Sequence, residues 1–248
     1  MDKTMERAST GISGLDKLIG GGIPRGLSVL LTGSCGTGKT ILSLQFLCHG
    51  AMNKEPGLYV TFEESRDKIV TQAREFNWDL EKLEKDGLLE IYVVDSYDME
   101  DVLERITEKI RKLKAKRLVI DSLTVMLEHG VIYRSRISKE ISVADKEKRL
   151  LKFPEEGHNI TRKDIYFVIK EINRLKTTSL LISEVGEKSD YLSRDTISEF
   201  ACDGVILLKT SELGGEIERL LSVRKMRGTE VEITLSPMKF SKQGIVLE

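Results

Sequence analysis

The pattern G-x-x-x-x-G-K-T, read from Gly33 to Thr40, places the strongest constraint on how this chain folds. An apolar run, Leu27 to Thr32, precedes it, and a segment with helical spacing, Ile41 to Ala51, follows it. A strand, a glycine-rich loop and a helix in this order direct successive backbone N–H groups at a phosphate. We therefore predict a nucleotide phosphate site formed by Gly33, Ser34, Cys35, Gly36, Thr37, Gly38, Lys39 and Thr40. In such a site Lys39 reaches the β- and γ-phosphates, and the Thr40 hydroxyl binds Mg²⁺.

Apolar runs alternate with amphipathic segments along most of the chain. This alternation predicts an α/β fold with a central, mostly parallel sheet flanked by helices. A final series of apolar runs without helices between them predicts an antiparallel extension at the C-terminal edge of the sheet. The predicted strands after the first are Gly57–Phe62, Leu88–Val94, Arg117–Ile120, Ser179–Ser183, Gly204–Lys209, Glu218–Arg224, Glu230–Leu235 and Ile245–Leu247.

We expect residues 1–248 to form one domain with a charged insertion at about 128–163. The helices that connect the later strands are predicted at Met99–Leu113 and Asp164–Leu175, on either side of that insertion. The insertion carries nine basic and six acidic residues and has little periodicity, which separates it from the amphipathic segments around it.

Composition limits the environment and the partners of the chain. The formal net charge is −1, so no overall basic field attracts it to nucleic acid or to a membrane surface. No apolar run approaches the ~20 residues that span a bilayer, and we expect no membrane insertion. The three cysteines have neither disulfide nor zinc spacing, which indicates a reducing compartment and a cytoplasmic location.

Carboxylates follow two of the predicted strands. Asp121 ends the run LVID in a Walker B arrangement, where it can hold Mg²⁺ through a water molecule. Glu63 and Glu64 directly follow the second strand, at the sheet edge expected for the phosphate loop. One of them can orient and deprotonate an attacking water, and we assign this role to Glu63 with Glu64 in support. The alternative is an acidic pair that favours a helix N-terminus.

Two cations alternate in Lys225-Met226-Arg227, after a late strand, so their side chains project from one face. Charge that develops on a transferred phosphoryl group needs such cations, and a neighbouring subunit can supply them. The alternative is an exposed basic strand end.

Several segments together resemble the KaiC-like branch of the RecA superfamily: STGISGLDKLIGGGIPRG, GSCGTGKT, YVTFEES, LVIDS, EFACDGVILL and VRKMRGT. The resemblance implies a RecA-like ATPase that uses ATP and Mg²⁺. It also implies a homo-oligomer, a hexameric ring in many members, with nucleotide between subunits. In this arrangement Lys39, Thr40 and Glu63 act from one subunit, and Lys225 and Arg227 reach the γ-phosphate from the next.

Three functions remain open on the sequence. The first is an oligomeric regulatory or signalling ATPase with slow turnover. The second is a recombinase-like, DNA-binding ATPase, and the third is an ATP-dependent assembly platform for a protein partner. Basic residues beside aromatics favour DNA, whereas the acidic residues among them indicate a solvated surface. These basic and aromatic residues are Tyr133, Arg134, Arg136, Lys139, Lys146, Lys148, Arg149, Lys152 and Phe153.

Overall fold

The computed structural model describes residues 5–133, 157–187, 189–213 and 216–248. The helices are α1 (Leu15–Leu18), α2 (Lys39–Met52), α3 (Arg66–Arg74), α4 (Leu80–Lys85), α5 (Met99–Leu113), α6 (Leu123–His129), α7 (Arg162–Arg174) and α8 (Ser198–Ala201). The strands are β1 (Arg7–Ala8), β2 (Ile23–Pro24), β3 (Ser28–Gly33), β4 (Gly57–Thr61), β5 (Leu89–Val93), β6 (Arg117–Asp121), β7 (Val131–Tyr133), β8 (Gly157–Asn159), β9 (Thr178–Glu184), β10 (Gly204–Leu213), β11 (Glu216–Met226), β12 (Ser236–Ser241) and β13 (Gly244–Leu247).

In the described part of the chain, nine strands form the central sheet in the order β13-β12-β11-β10-β3-β9-β6-β4-β5. The strands from β10 to β5 in this order run parallel. Strands β11, β12 and β13 extend the sheet antiparallel at the other side. The predicted α/β architecture and its antiparallel C-terminal extension are therefore confirmed.

Helices cover both faces of the sheet, and successive residues of a strand point to opposite sides. Val29 and Leu31 of β3 pack in one core with α2 and α3, whereas Leu30 packs in a second core with α5 and α7. Because both faces of β3 are buried, it reads in the sequence as a continuous apolar run.

Helix α5 shows how sequence pattern becomes packing. The Asp98 side chain accepts hydrogen bonds from the backbone N–H groups of Glu100 and Asp101, which caps the first turn. Burying each large aliphatic side chain contributes about 1.5–3 kcal/mol. The buried residues that form the inner face are Met99, Val102, Ile106 and Ile110. The observed bounds match the predicted helix.

A buried arginine joins the parts of the fold that precede and follow the phosphate loop. Arg117 is 1% exposed and donates hydrogen bonds to the Glu55 carboxylate (2.8 Å) and to the carbonyls of Ser9 (2.9 Å) and Phe46 (2.7 Å). Its guanidinium lies 4.5 Å from the centre of the Phe46 ring. Removing one partner of such a buried pair costs about 3–5 kcal/mol, because the other charge loses its compensation.

The prediction of a strand at Glu230–Leu235 is wrong. Residues 230–235 form no regular structure, and the side chains of Ile233 and Leu235 are exposed. On the side of β11 away from β10, the pairing strand is β12, whose Met238 is buried against the core. An alternating apolar pattern is insufficient here because no neighbouring strand lies beside that segment.

The predicted insertion contains regular structure at both ends. Helix α6 extends to His129, and Val131–Tyr133 pairs antiparallel with Gly157–Asn159. The middle of the insertion, residues 134–156, lies outside the described residues.

Candidate nucleotide site

The carboxyl ends of four parallel strands lie side by side, and we call this end of the sheet the phosphate edge. Their last residues are Gly33, Thr61, Asp121 and Glu184. A cavity of about 460 Å³ opens there. Its wall is formed by the phosphate loop and by side chains from the ends of these strands, from α3 and from the C-terminal extension. The lining residues are Cys35, Gly36, Gly38, Lys39, Thr40, Ile41, Thr61, Glu63, Glu64, Gln72, Asp121, Glu184, Arg219 and Phe240.

The phosphate loop between β3 and α2 needs glycine at Gly38. Its φ is 102°, a left-handed conformation that side chains disfavour. A Cβ atom there would also lie 2.8 Å from the Phe240 ring. The loop therefore has the backbone curvature that the sequence pattern predicts, and it leads directly into the N-terminus of α2.

Lys39 is buried beneath the loop and is held by protein acceptors. Its ammonium group donates to the carbonyls of Gly33 (3.0 Å) and Ser34 (2.8 Å). The carboxylate of Glu184 lies 3.9 Å away. Burial lowers the pKa of Lys39, whereas the nearby carboxylates, Glu184 first among them, act in the opposite direction. A bound phosphate would offer this ammonium group a further anionic partner.

Thr40 and Asp121 meet at the mouth of the loop. The Thr40 hydroxyl donates to Asp121 Oδ2 at 3.1 Å, and the Tyr59 hydroxyl donates to the same oxygen. Burial raises the pKa of Asp121, and the two hydroxyl donors oppose that rise. A hydroxyl and a carboxylate beside a phosphate site suit Mg²⁺, which prefers hard oxygen ligands and retains several waters. Thr40 and Asp121 therefore fit the predicted metal site.

The two glutamates after β4 differ in their contacts. The Glu64 carboxylate accepts hydrogen bonds from Gln72 Nε2 at 3.0 and 3.3 Å, which fixes its orientation. Within the described residues, no side chain donates a hydrogen bond to the Glu63 carboxylate, which lines the cavity. Partial burial, followed by the carboxylates of Glu184 and Asp121, raises the pKa of Glu63. The raised pKa and the absence of a donor within the described residues distinguish Glu63 from Glu64, and the assignment of Glu63 as general base stays a prediction.

Lys225 and Arg227 lie toward the other ends of the strands, away from the phosphate edge. We call this end of the sheet the far edge. Lys225 of β11 pairs with Val205 of β10, and Val205 pairs with Leu30 of β3. Leu30 lies about 10 Å from Gly33 along β3. Its ammonium group donates to the Cys202 carbonyl at 2.6 Å. Arg227 donates to Asp203 Oδ1 at 2.9 Å and remains 60% exposed. The structure does not bring either cation into the cavity of its own chain.

Sequence-based prediction missed several contacts of the phosphate edge, among them those of Tyr59, Glu184, Arg219 and Phe240. Tyr59 and Glu184 contact Asp121 and Lys39, as described above. Arg219 lies on β11, donates to the Gly36 carbonyl at 3.3 Å, and stacks 4.9 Å from the centre of the Phe240 ring. Position after a predicted strand could have identified Glu184, but the other three depend on strand register.

Some predictions involve residues away from this cavity. The basic residues proposed for DNA contact, Arg134 to Lys152, lie outside the described residues, as does Phe153. Cys35, Cys48 and Cys202 are all free thiols, and burial raises the pKa of Cys48 and of Cys202 to about 12. Among the helices described, none combines the length and the apolar character needed to cross a membrane.

The phosphate loop, the adjacent carboxylates and the parallel sheet define a P-loop nucleotide-binding protein with a RecA-like fold. The KaiC ATPase family model matches residues 8–149 and 149–248. The chain belongs to this family.

The relatives and a solved structure agree with this assignment. The chain is 32% identical to the circadian clock oscillator protein KaiC of Prochlorococcus marinus, covering 98% of this chain and 45% of the relative. It is 31% identical to KaiC 1 of a Synechocystis species, with 98% and 44% covered. It thus spans about half the length of these curated relatives. A crystal structure of a KaiC-like protein from the hyperthermophilic archaeon Pyrococcus horikoshii matches with a TM-score of 0.77 at 33% identity, covering 98% of this chain and 99% of that one.

Proposed function

We propose that this protein is a Mg²⁺-dependent ATP hydrolase whose active site is completed by a second copy of the chain. The observation that carries the proposal is the separation of the catalytic parts between two edges of one sheet. The phosphate edge holds the loop, Lys39, the Thr40–Asp121 pair and Glu63. The cations Lys225 and Arg227 lie at the far edge, where the phosphate loop of the same chain is out of reach.

At the phosphate edge, the loop N–H groups and Lys39 would bind the phosphates, and Thr40 and Asp121 would hold Mg²⁺. Bound Mg²⁺ neutralises phosphate charge. Glu63 accepts a proton from a water molecule as the water oxygen forms a bond to the γ-phosphorus. The bond from the γ-phosphorus to the bridging oxygen breaks, and ADP and inorganic phosphate result. Gln72 donates to the Glu64 carboxylate and orients it, which suits a supporting role for Glu64.

At the far edge, the exposed guanidinium of Arg227 is available to a neighbouring molecule. Phe200 is 68% exposed, and its carbonyl accepts a hydrogen bond from the neighbouring cation, Lys225. An exposed aromatic next to cations is typical of the centre of a protein interface. If the far edge of one copy meets the phosphate edge of the next, the contact is head-to-tail and closes into a ring when the rotation permits. A hexamer is the ring that the family resemblance favours.

A regulatory or signalling role is the biological part of the proposal. Its support is that the curated relatives are named circadian clock oscillator proteins. Slow turnover suits such a role, because the lifetime of the nucleotide-bound state then sets the duration of a signal.

Light scattering of the wild-type protein with and without Mg²⁺-ATP, run beside a phosphate-release assay, tests the proposal. We expect ATP to increase the molar mass to that of a closed oligomer, with phosphate released only when the oligomer is present. The matched control is Lys39→Ala, which should neither assemble with ATP nor release phosphate. A monomer that hydrolyses ATP at every protein concentration would overturn the proposal.

A further inference from the structure

Glu184 has a backbone fixed by hydrogen bonds and a partly exposed side chain. It is the last residue of β9, and its N–H donates to the Thr124 hydroxyl at 2.9 Å. The next N–H, that of Val185, donates to the carbonyl of Gly33 at 3.3 Å. The main chain at the end of β9 is thus hydrogen-bonded to β3, the strand that leads into the phosphate loop. The side chain is 44% exposed and lines the cavity.

Within the described residues, the Lys39 ammonium donates hydrogen bonds to the main-chain carbonyls of Gly33 and Ser34 and forms an ion pair with the Glu184 carboxylate. The two carbonyls belong to the main chain where β3 enters the phosphate loop and are fixed by it. The Glu184 carboxylate, at 3.9 Å, belongs to a side chain that is 44% exposed and is not held by the main chain of the loop. It therefore occupies the role that an incoming phosphate must assume, that of the anion paired with Lys39.

Other carboxylates near the site are already engaged or lie farther along the wall. Asp121 accepts hydrogen bonds from Thr40 and Tyr59. Glu63 has no ion pair with Lys39 within the described residues. Among the carboxylates that line the cavity, Glu184 is thus the one placed to compete directly for the lysine.

We propose that Glu184 is a specificity-determining residue whose carboxylate competes with the terminal phosphate of ATP for Lys39. The inference rests on the proposed nucleotide site. Because Lys39 is expected to pair mainly with the β- and γ-phosphates, a fixed negative charge beside it opposes the triphosphate more than the diphosphate. Glu184 then lowers the affinity for ATP more than the affinity for ADP. The difference between the two affinities is therefore smaller than it would be without the Glu184 charge.

Calorimetric titration of Glu184→Gln with AMP-PNP and with ADP, both in Mg²⁺, tests this role. Glutamine keeps the size of the side chain and removes its charge. We expect AMP-PNP to bind about threefold or more tightly than to wild type, the range of a half-exposed ion pair, with a smaller change for ADP. The control is Glu187→Gln, an exposed carboxylate in the same segment, which should leave both affinities unchanged. Unchanged or weaker AMP-PNP binding in Glu184→Gln, or an equal gain for ADP, would overturn the inference.

Salt separates electrostatic competition from a change in shape. The gain in AMP-PNP affinity should shrink as the salt concentration rises, because ions screen the partly exposed Glu184 charge. A gain independent of salt would contradict the inference. Lys39→Ala distinguishes the two proposals. If it abolishes nucleotide binding while Glu184→Gln changes nothing, the phosphate site stands and only the role of Glu184 fails. If Lys39→Ala binds normally, the phosphate site itself is wrong.

Discussion

The two edges of the sheet carry opposite kinds of chemistry. Acidic side chains converge on one lysine at the phosphate edge, where Glu63, Asp121 and Glu184 line the same cavity as Lys39. At the far edge Arg227 donates to Asp203 and remains 60% exposed, and Lys225 donates to main-chain carbonyls. The groups at the phosphate edge suit the binding of a polyphosphate. The charge on a phosphoryl group in the transition state is also stabilised by cations, and Lys225 and Arg227 at the far edge are cations.

A single strand connects the two edges. Arg219 of β11 contacts the phosphate loop, and Lys225 of the same strand lies level with the opposite end of β10. Any shift of β11 along its neighbours would therefore move a residue at both edges.

The largest expected effect lies at the phosphate edge, in Glu63→Gln. Removing a general base lowers turnover by about 10²–10⁴-fold, while ATP binding remains. The matched variant Glu64→Gln should lower turnover by less than about tenfold, because Glu64 is held by Gln72 and only supports the site. Single-turnover phosphate release, with binding measured in parallel, checks both variants. Loss in Glu64→Gln with survival in Glu63→Gln would reverse the assignment.

Lys39→Ala should weaken ATP binding by about 100-fold or more, since charged hydrogen bonds to two phosphates are lost. Arg227→Ala is the control at the far edge, and its effect on ATP binding by an isolated chain should be small. Titration with a fluorescent ATP analogue at concentrations below assembly measures both. Equal losses in the two variants would show that the edges do not have separate roles.

Partial burial and the carboxylates of Glu184 and Asp121 raise the pKa of Glu63. The pH at which kcat/KM falls on the acid side, the acid limb of the pH profile, should therefore lie above 4.5, the ordinary pKa of glutamate. A base must be deprotonated, so turnover is lost as the pH falls through this raised pKa. In Glu184→Gln one repelling charge is gone, and the limb should move to lower pH. The dependence of kcat/KM on pH in both proteins measures the limb. A limb that does not move would contradict the electrostatic coupling of Glu63 and Glu184.

Much of the fold could be predicted because local pattern and packing agree. Helix α5 matches its predicted bounds, and the parallel strands match to within one residue at each end, except that β10 continues four residues beyond the predicted Lys209. The residues of the phosphate edge were predictable where they follow a strand directly, as Glu63 and Asp121 do. Glu230–Leu235 was predicted as a strand in error, because an alternating pattern cannot show whether a partner strand lies beside it.

The other contacts of the site depend on which strands are neighbours. Tyr59 reaches Asp121 because β4 pairs with β6, with Thr61 opposite Asp121. Phe240 covers Gly38 although about two hundred residues separate them, and it does so through the antiparallel register of β11, β12 and β13. Neither register can be read from a single sequence. The far-edge position of Lys225 and Arg227 also emerges only from the sheet order.

Tyr59→Phe should have the smallest effect. It removes one hydrogen bond to Asp121 and keeps the buried ring. The concentration of Mg²⁺ needed for half-maximal turnover should rise about threefold, because Asp121 loses one of its two positioning hydroxyls. ATP binding without Mg²⁺ should not change, which is the control for a general loss of structure. A change in Mg²⁺-free binding of the same size would show that Tyr59 acts on the fold rather than on Asp121.

Mixing two inactive variants tests most directly whether the two edges act together across copies. Glu63→Gln damages only the phosphate edge, and Arg227→Ala damages only the far edge. When equal amounts are combined before ATP is added, about one contact in four of a head-to-tail ring pairs an intact phosphate edge with an intact far edge. We predict recovery of phosphate release to about a quarter of the wild-type rate. A mixture no more active than the sum of the separate variants would contradict the account.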